Sequence, residues 1–112
     1  MHCINIDTVQ LLPKNALVVN VARGGFVEYN AMRNALESEH IGGFASDVGI
    51  GHPSKPSEPW DPDDPICQLP NVVFTPHVGG YSDAAYDVMS KRIVDGIECV
   101  VQGKPPPVWV NR

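Results

Sequence analysis

Residues 16–21 read Ala16-Leu17-Val18-Val19-Asn20-Val21, a nearly continuous apolar run set between Pro13-Lys14-Asn15 and Arg23-Gly24-Gly25. A short run of this kind bounded by turn residues predicts a strand of a parallel sheet, because strands covered on both faces do not alternate polar and apolar positions. Downstream, residues 29–38 place Met32, Ala35 and Leu36, then Glu39, at helix-compatible intervals with Ala31 one step aside, which predicts a short amphipathic helix. Gly42-Gly43 is expected to end that helix and open a second strand, Phe44-Ala45-Ser46-Asp47-Val48, with a carboxylate near its carboxyl end. A third strand is expected at Val72-Val73-Phe74, ending in Thr75-Pro76-His77. Upstream, His2-Cys3-Ile4-Asn5 gives no sign of an earlier strand.

Pro53, Pro56, Pro59, Pro62, Pro65 and Pro70 exclude a regular helix or central strand between the second and third strands. The segment reads as a long surface loop, and connections of that length are often functional. Glu58, Asp61, Asp63 and Asp64 make part of it acidic. Beyond Gly79-Gly80, Ser82 is expected to cap a longer helix in which Ala85, Val88 or Met89, Ile93, Ile97 and Val100 or Val101 recur every three or four residues. Gly103 and Pro105 are expected to terminate it.

Strand, helix, strand, loop, strand, helix is the order of an α/β fold with a parallel sheet. Only three strands are offered, and three parallel strands leave edges and faces that need partners. The expected architecture is therefore a partial Rossmann-like, doubly wound domain: a three-stranded parallel half-sheet with flanking helices. Its first half is expected to be missing from the 112 residues, since neither Gly-x-Gly-x-x-Gly nor a P-loop occurs in them.

Eight basic against 13 acidic residues give a net charge of −5, which argues against nucleic-acid and anionic-membrane binding, both of which require a positive surface. No apolar run approaches the roughly 20 residues that span a bilayer. Cys3, Cys67 and Cys99 share no metal-ligand or redox spacing and form no disulfide framework, so no metal site is expected and a cytoplasmic location is the default.

Open parallel sheets bind ligands outside the carboxyl ends of their strands. The polar residues there are Arg23, Asp47 and His77, beside two Gly-Gly pairs that permit a close ligand approach. Each alone has a plain structural reading: a loop arginine, a turn aspartate, a structural histidine. Their joint placement on one rim is what suggests chemistry.

The runs Val-Val-Asn-Val-Ala-Arg-Gly-Gly (18–25), Gly-Phe-Ala-Ser-Asp-Val (43–48) and Asn-Val-Val-Phe-Thr-Pro-His-Val-Gly-Gly (71–80) closely resemble, in order and spacing, motifs of the D-isomer-specific 2-hydroxyacid dehydrogenases. Gly103-Lys104-Pro105 with Val110-Asn111 resembles the closing segment of that family. The resemblance implies that residues 1–112 are the C-terminal portion of a dinucleotide-binding domain, including the closing helix and tail (102–112), with the glycine-rich turn and the substrate domain absent. It implies an oxidoreductase that interconverts small 2-oxo acids, such as glyoxylate or hydroxypyruvate, and D-2-hydroxy acids with NAD or NADP. Arg23 would grip the carboxylate and carbonyl of the 2-oxo acid with its planar fork of donors. His77 would be the acid/base, a role that suits imidazole because the unperturbed pKa of that group in general lies close to neutrality. Asp47 would meet the nicotinamide carboxamide, while Val21, Ala22, Arg23, His77, Val78, Gly79 and Gly80 would line the cofactor.

The third catalytic member of the family is a glutamate in a Glu-Pro pair, which here points to Glu58. Relatives place it about five residues after the strand-end aspartate, whereas Glu58 lies eleven after Asp47, so 51–56 resembles an insertion. His52 holds the unshifted position, but Glu58-Pro59 and the following Asp-Pro pattern favour Glu58, and surface loops absorb insertions at modest entropic cost. The expected partners are a small 2-oxo or 2-hydroxy acid and another protein copy, in a homodimer or paired with a full-length paralogue. The alternative reading is a catalytically inactive truncated fragment or interaction remnant of such an enzyme. Trp109 is expected to be a buried anchor in the tail.

Overall fold

Strand β1 (Ala16–Asn20) pairs in parallel with β2 (Ile41–Ser46), which pairs in parallel with β3 (Val72–Phe74). The sheet order is β1-β2-β3. This is the expected α/β fold, a partial Rossmann-like arrangement with helices flanking a three-stranded parallel sheet. The computed structural model describes residues 2–49 and 61–108. The chain divides into two compact units, Met1–Gly79 and Gly80–Arg112.

Within the first unit, helix α1 (Ile6–Val9) precedes the sheet and α2 (Tyr29–Glu37) connects β1 to β2. Strand alternation sends Val18, Phe44, Val72 and Phe74 to one face, where α2 delivers Met32, Ala35 and Leu36. Phe44, Met32, Ile41, Ile66 and Val9 are fully enclosed there, each burial contributing about 1.5–3 kcal/mol. Phe44 and Phe74 meet edge to face with centroids 5.8 Å apart. The opposite face is different. Leu17, Val19 and Val73 are 78%, 65% and 63% exposed, so the apolar run that predicted cover on both faces has cover on one.

The start of the chain holds more order than its sequence suggested. Ile4 forms a parallel bridge with Val27, its amide donating to the Phe26 carbonyl at 2.9 Å. Asn5 then caps α1: its Oδ1 accepts the amides of Asp7 and Thr8, and the Thr8 hydroxyl accepts the Asn5 amide in return. The cap turns the chain so that Val9, wholly buried, reaches the core.

Helix α2 does not end at Gly42-Gly43. It ends at Glu37, and Glu39 takes the left-handed conformation (φ 57°) while the amides of Glu39 and His40 donate to the carbonyls of Leu36 and Ala35. That is the hydrogen-bond pattern usually built on a glycine. The two glycines lie inside β2, which consequently starts at Ile41 rather than Phe44 and ends at Ser46 rather than Val48. They are small for a packing reason: a Cβ on Gly42 would stand 2.7 Å from the Asn15 carbonyl oxygen, and one on Gly43 would stand 3.0 Å from Leu17 Cδ2 and 3.2 Å from the Asn71 carbonyl oxygen.

In the loop before β3, Asp64 caps a 3-10 turn (Pro65–Gln68) by accepting the Ile66 amide at 3.1 Å. Its carboxylate also accepts the hydroxyl of Tyr29, tying the loop to α2. Burial first, and then this carboxylate, push the Tyr29 phenol well above its ordinary ionisation range. Part of the acidic loop thus caps and anchors backbone.

The second unit is helix α3 (Asp83–Val101) and its tail. Ser82 caps it as expected, its hydroxyl accepting the Ala85 amide at 3.2 Å. Gly103, at φ 66°, closes it with Gly103 and Lys104 amides donating to Val100 and Cys99. Val88, Met89, Ile93, Ile97, Val100 and Val101 are all exposed. Trp109 lies outside the described residues.

Candidate active site at the carboxyl edge of the sheet

Because the strands are parallel and in register, their carboxyl ends stand level: Asn20 pairs with Ser46 and Ser46 with Phe74. Arg23, Asp47 and His77 follow these residues by three, one and three positions, so all three lie along the same edge of one sheet.

At the end of β1 the chain folds back on Asn20, which is 6% exposed. Its side-chain oxygen accepts the Ala22 amide at 3.1 Å and its side-chain nitrogen donates to the Arg23 carbonyl at 3.0 Å, shaping the turn that carries the arginine. Arg23 itself is exposed; Nη1 donates to the Ala22 carbonyl at 2.6 Å, and the guanidinium makes no ion pair among the described residues. Most of its donors therefore face solvent. Val21, Ala22 and Gly25 are exposed beside it.

Ser46 and Asp47 connect this turn to the next strand. The buried Ser46 hydroxyl lies 3.2 Å from the Asn20 carbonyl and 2.6 Å from that of Val48, while the Asp47 amide donates to the Asn20 carbonyl at 3.1 Å. The Asp47 side chain then reaches across to the segment after β3. Oδ1 accepts the Thr75 hydroxyl at 2.5 Å and the Val78 amide at 2.9 Å, and Oδ2 accepts the Gly79 amide at 2.8 Å. These donors hold the carboxyl below its ordinary range, the Thr75 hydroxyl foremost, then the Gly79 and Val78 amides, with the His77 charge adding to them.

His77 sits at the centre of this clasp. Its backbone is left-handed (φ 60°) and its amide donates to the Thr75 carbonyl at 2.9 Å, a tight turn about Pro76. The imidazole is exposed and forms no hydrogen bond with any described side chain or backbone group. Glu58 and His52, the two readings of the third catalytic position, lie outside the described residues. Val78 and Gly79 border the histidine, and Gly80, with no heavy atom within 4 Å of where a Cβ would stand, begins the second unit.

Sequence reasoning identified the three strand-end residues and missed those that hold them: Asn20, Ser46 and Thr75. Asn20 interrupts an otherwise apolar run, and that interruption was the available signal.

Residues 1–79 match the family model described as D-isomer specific 2-hydroxyacid dehydrogenase, NAD binding domain. The glyoxylate reductase of Pyrococcus horikoshii is 34% identical over 111 residues, covering 99% of this chain and 31% of that protein. The glycerate dehydrogenase of Methylorubrum extorquens is 34% identical over 109 residues, covering 96% of this chain and 33% of that one. A D-isomer specific 2-hydroxyacid dehydrogenase from Xanthobacter autotrophicus, crystallised with NADPH and MES, superposes with a TM-score of 0.80 at 30% identity, over 96% of this chain and 41% of that one. The chain thus spans about a third of the length of the curated relatives it matches. With its sheet, its strand-end residues and its match to the family model in agreement, the chain belongs to the D-isomer specific 2-hydroxyacid dehydrogenases, as the C-terminal portion of their NAD-binding domain.

Proposed function

We propose that this chain supplies one wall of the active site of an NAD- or NADP-dependent oxidoreductase that reduces small 2-oxo acids, such as glyoxylate or hydroxypyruvate, to D-2-hydroxy acids and runs the reverse reaction. The observation that carries the reading is the alignment of a solvent-facing guanidinium, a multiply bonded carboxylate and an exposed imidazole on one sheet edge.

The residues present suit the nicotinamide end of the cofactor. A carboxylate has about four acceptor positions, and Asp47 uses three, leaving one on Oδ2 for an amide donor such as the carboxamide. Gly25 has open space where a side chain would stand, which permits close approach of a flat ring. When bound, the nicotinamide supplies the hydride chemistry.

In this reading Arg23 pairs with the substrate carboxylate and polarises the carbonyl through its fork of donors. His77 delivers a proton to the carbonyl oxygen during reduction and accepts the hydroxyl proton during oxidation. Glu58 would be the carboxylate that orients the ring. Val21, Ala22, Val78, Gly79 and Gly80 would shape the wall around the ring.

The apolar face at Leu17, Val19 and Val73, exposed in the first unit, favours a second point: catalysis belongs to an assembly in which further protein of the same enzyme, on this chain or a paired copy, covers the sheet. The 112 residues alone are expected to show no reduction of glyoxylate, pyruvate or hydroxypyruvate.

The test is a chimera in which this chain replaces the matching third of the Pyrococcus horikoshii glyoxylate reductase. Oxidation of NADH or NADPH with glyoxylate is expected, falling at least about 100-fold in kcat with His77→Ala. A soluble chimera without turnover, or one indifferent to His77→Ala, would overturn the reading.

A further inference from the structure

We infer that Asp47 is the positioning residue for His77: through one carboxylate it fixes the left-handed turn on which the imidazole is carried. The inference rests on the reading of His77 as the acid/base, but its evidence is geometric and independent of that chemistry.

Three observations support it. Asp47 hydrogen-bonds on both sides of the histidine, receiving the Thr75 hydroxyl from before it and the Val78 and Gly79 amides from after it. His77 occupies the left-handed backbone region, uncommon for residues other than glycine although histidine, with asparagine and aspartate, is enriched in it; such a conformation persists where surrounding bonds determine it. Within the turn itself the described backbone bond is the one from the His77 amide to the Thr75 carbonyl, which leaves the segment after the histidine held from outside by Asp47.

The carboxylate is in turn fixed by its own chain. The Asp47 amide donates to the Asn20 carbonyl, and the neighbouring buried Ser46 hydroxyl lies within hydrogen-bond distance of the same oxygen. Position 79 is part of the same fit, since a Cβ there would stand 2.8 Å from Asp47 Oδ2. Among the described residues, the backbone that carries the ring is therefore located from the ends of β1 and β2 through Asp47. A group that binds the unused acceptor position of Oδ2 would act on the same carboxylate that holds the histidine, so occupancy there and the placement of the ring are mechanically joined.

The experiment is NMR on the full 112-residue chain. As pH falls, the Val78 and Gly79 amide protons are expected to shift together through one transition below the ordinary carboxylate range, with the His77 backbone resonances following it. Asp47→Asn should abolish that transition and move the His77 backbone and ring resonances, while resonances of α2 and β1 keep their positions. Thr75→Val keeps the carboxylate, removes its foremost donor and should move the transition up towards the ordinary value. It also decides the matter if Asp47→Asn fails to fold. The inference is overturned if the Val78 and Gly79 amides do not follow the transition, if they exchange at random-coil rates in the unsubstituted chain, or if a folded Asp47→Asn leaves His77 unmoved. These readouts do not depend on turnover, so a chimera indifferent to His77→Ala would refute the catalytic reading and leave the clasp standing.

Discussion

The Gly79 amide donates to Asp47 Oδ2 at 2.8 Å, and a methyl group added at residue 79 would stand at that same distance from that same oxygen. The hydrogen bond and the missing side chain are one structural fact: the backbone can approach the carboxylate only because nothing projects from it. Gly79→Ala is therefore expected to push the Asp47 side chain aside. Since the site lies on an exposed rim, the cost in global stability should stay below about 1 kcal/mol. In the chimera, kcat should fall by at least tenfold, because small displacements of an acid/base are costly. Urea denaturation paired with steady-state assay checks both; an unchanged kcat would count against it.

Asn20 performs the corresponding task for Arg23. Replacing it with alanine leaves the Ala22 amide and the Arg23 carbonyl without their side-chain partner at a largely buried position, which should cost about 1–3 kcal/mol. The arginine turn loosens at the same time, so KM for glyoxylate in the chimera should rise by about tenfold or more. Equilibrium unfolding and the KM measurement separate the two effects, and Asn20→Asp, which keeps the acceptor and loses the donor, should fall between them.

The turn from α2 into β2 predicts two substitutions of opposite sign. Glu39→Gly relieves a left-handed residue at φ 57° and should stabilise the chain by up to about 1 kcal/mol. Gly42→Ala forces a methyl group to within 2.7 Å of a backbone oxygen that cannot swing away, and should destabilise it by about 1–3 kcal/mol. Chemical denaturation midpoints of the two variants should bracket the parent.

Tyr29 sets an alkaline limit. Burial, followed by the Asp64 carboxylate, raises its ionisation in the folded chain above the value near 10 of an unfolded tyrosine. The folded state thus favours the neutral phenol: this contribution is fully present below about pH 10 and is lost as pH rises from there towards the folded value. Stability measured as pH rises above about 10 should decline, and Tyr29→Phe should flatten that part of the decline while lowering stability near neutrality by about 1 kcal/mol.

The strand ends were legible because each is marked within a few consecutive residues: an apolar run, then Arg23, Asp47 or His77, then or nearby a pair of glycines. The caps of α3 were legible for the same reason, since Ser82 and Gly103 act on backbone groups no more than four positions away. Gly42-Gly43 misled because glycine has two uses. The left-handed position it was assigned is filled by Glu39, whereas its real task is to let β2 pass close to the Asn15 carbonyl, a neighbour 27 positions away in sequence.

By itself, the sequence determined which segments become the three strands and the helices α2 and α3, and which polar groups stand at the strands' carboxyl ends, because periodicity and capping act over one or two turns of chain. Tertiary structure alone decided that Asp47 embraces the turn around His77, that Asn20 shapes the turn around Arg23, that Tyr29 anchors the loop through Asp64, and that within the first unit one face of the sheet is exposed at Leu17, Val19 and Val73. Those outcomes depend on which strands lie side by side and in what register. Register follows from the packing of the whole layer, so no single stretch of residues carries it.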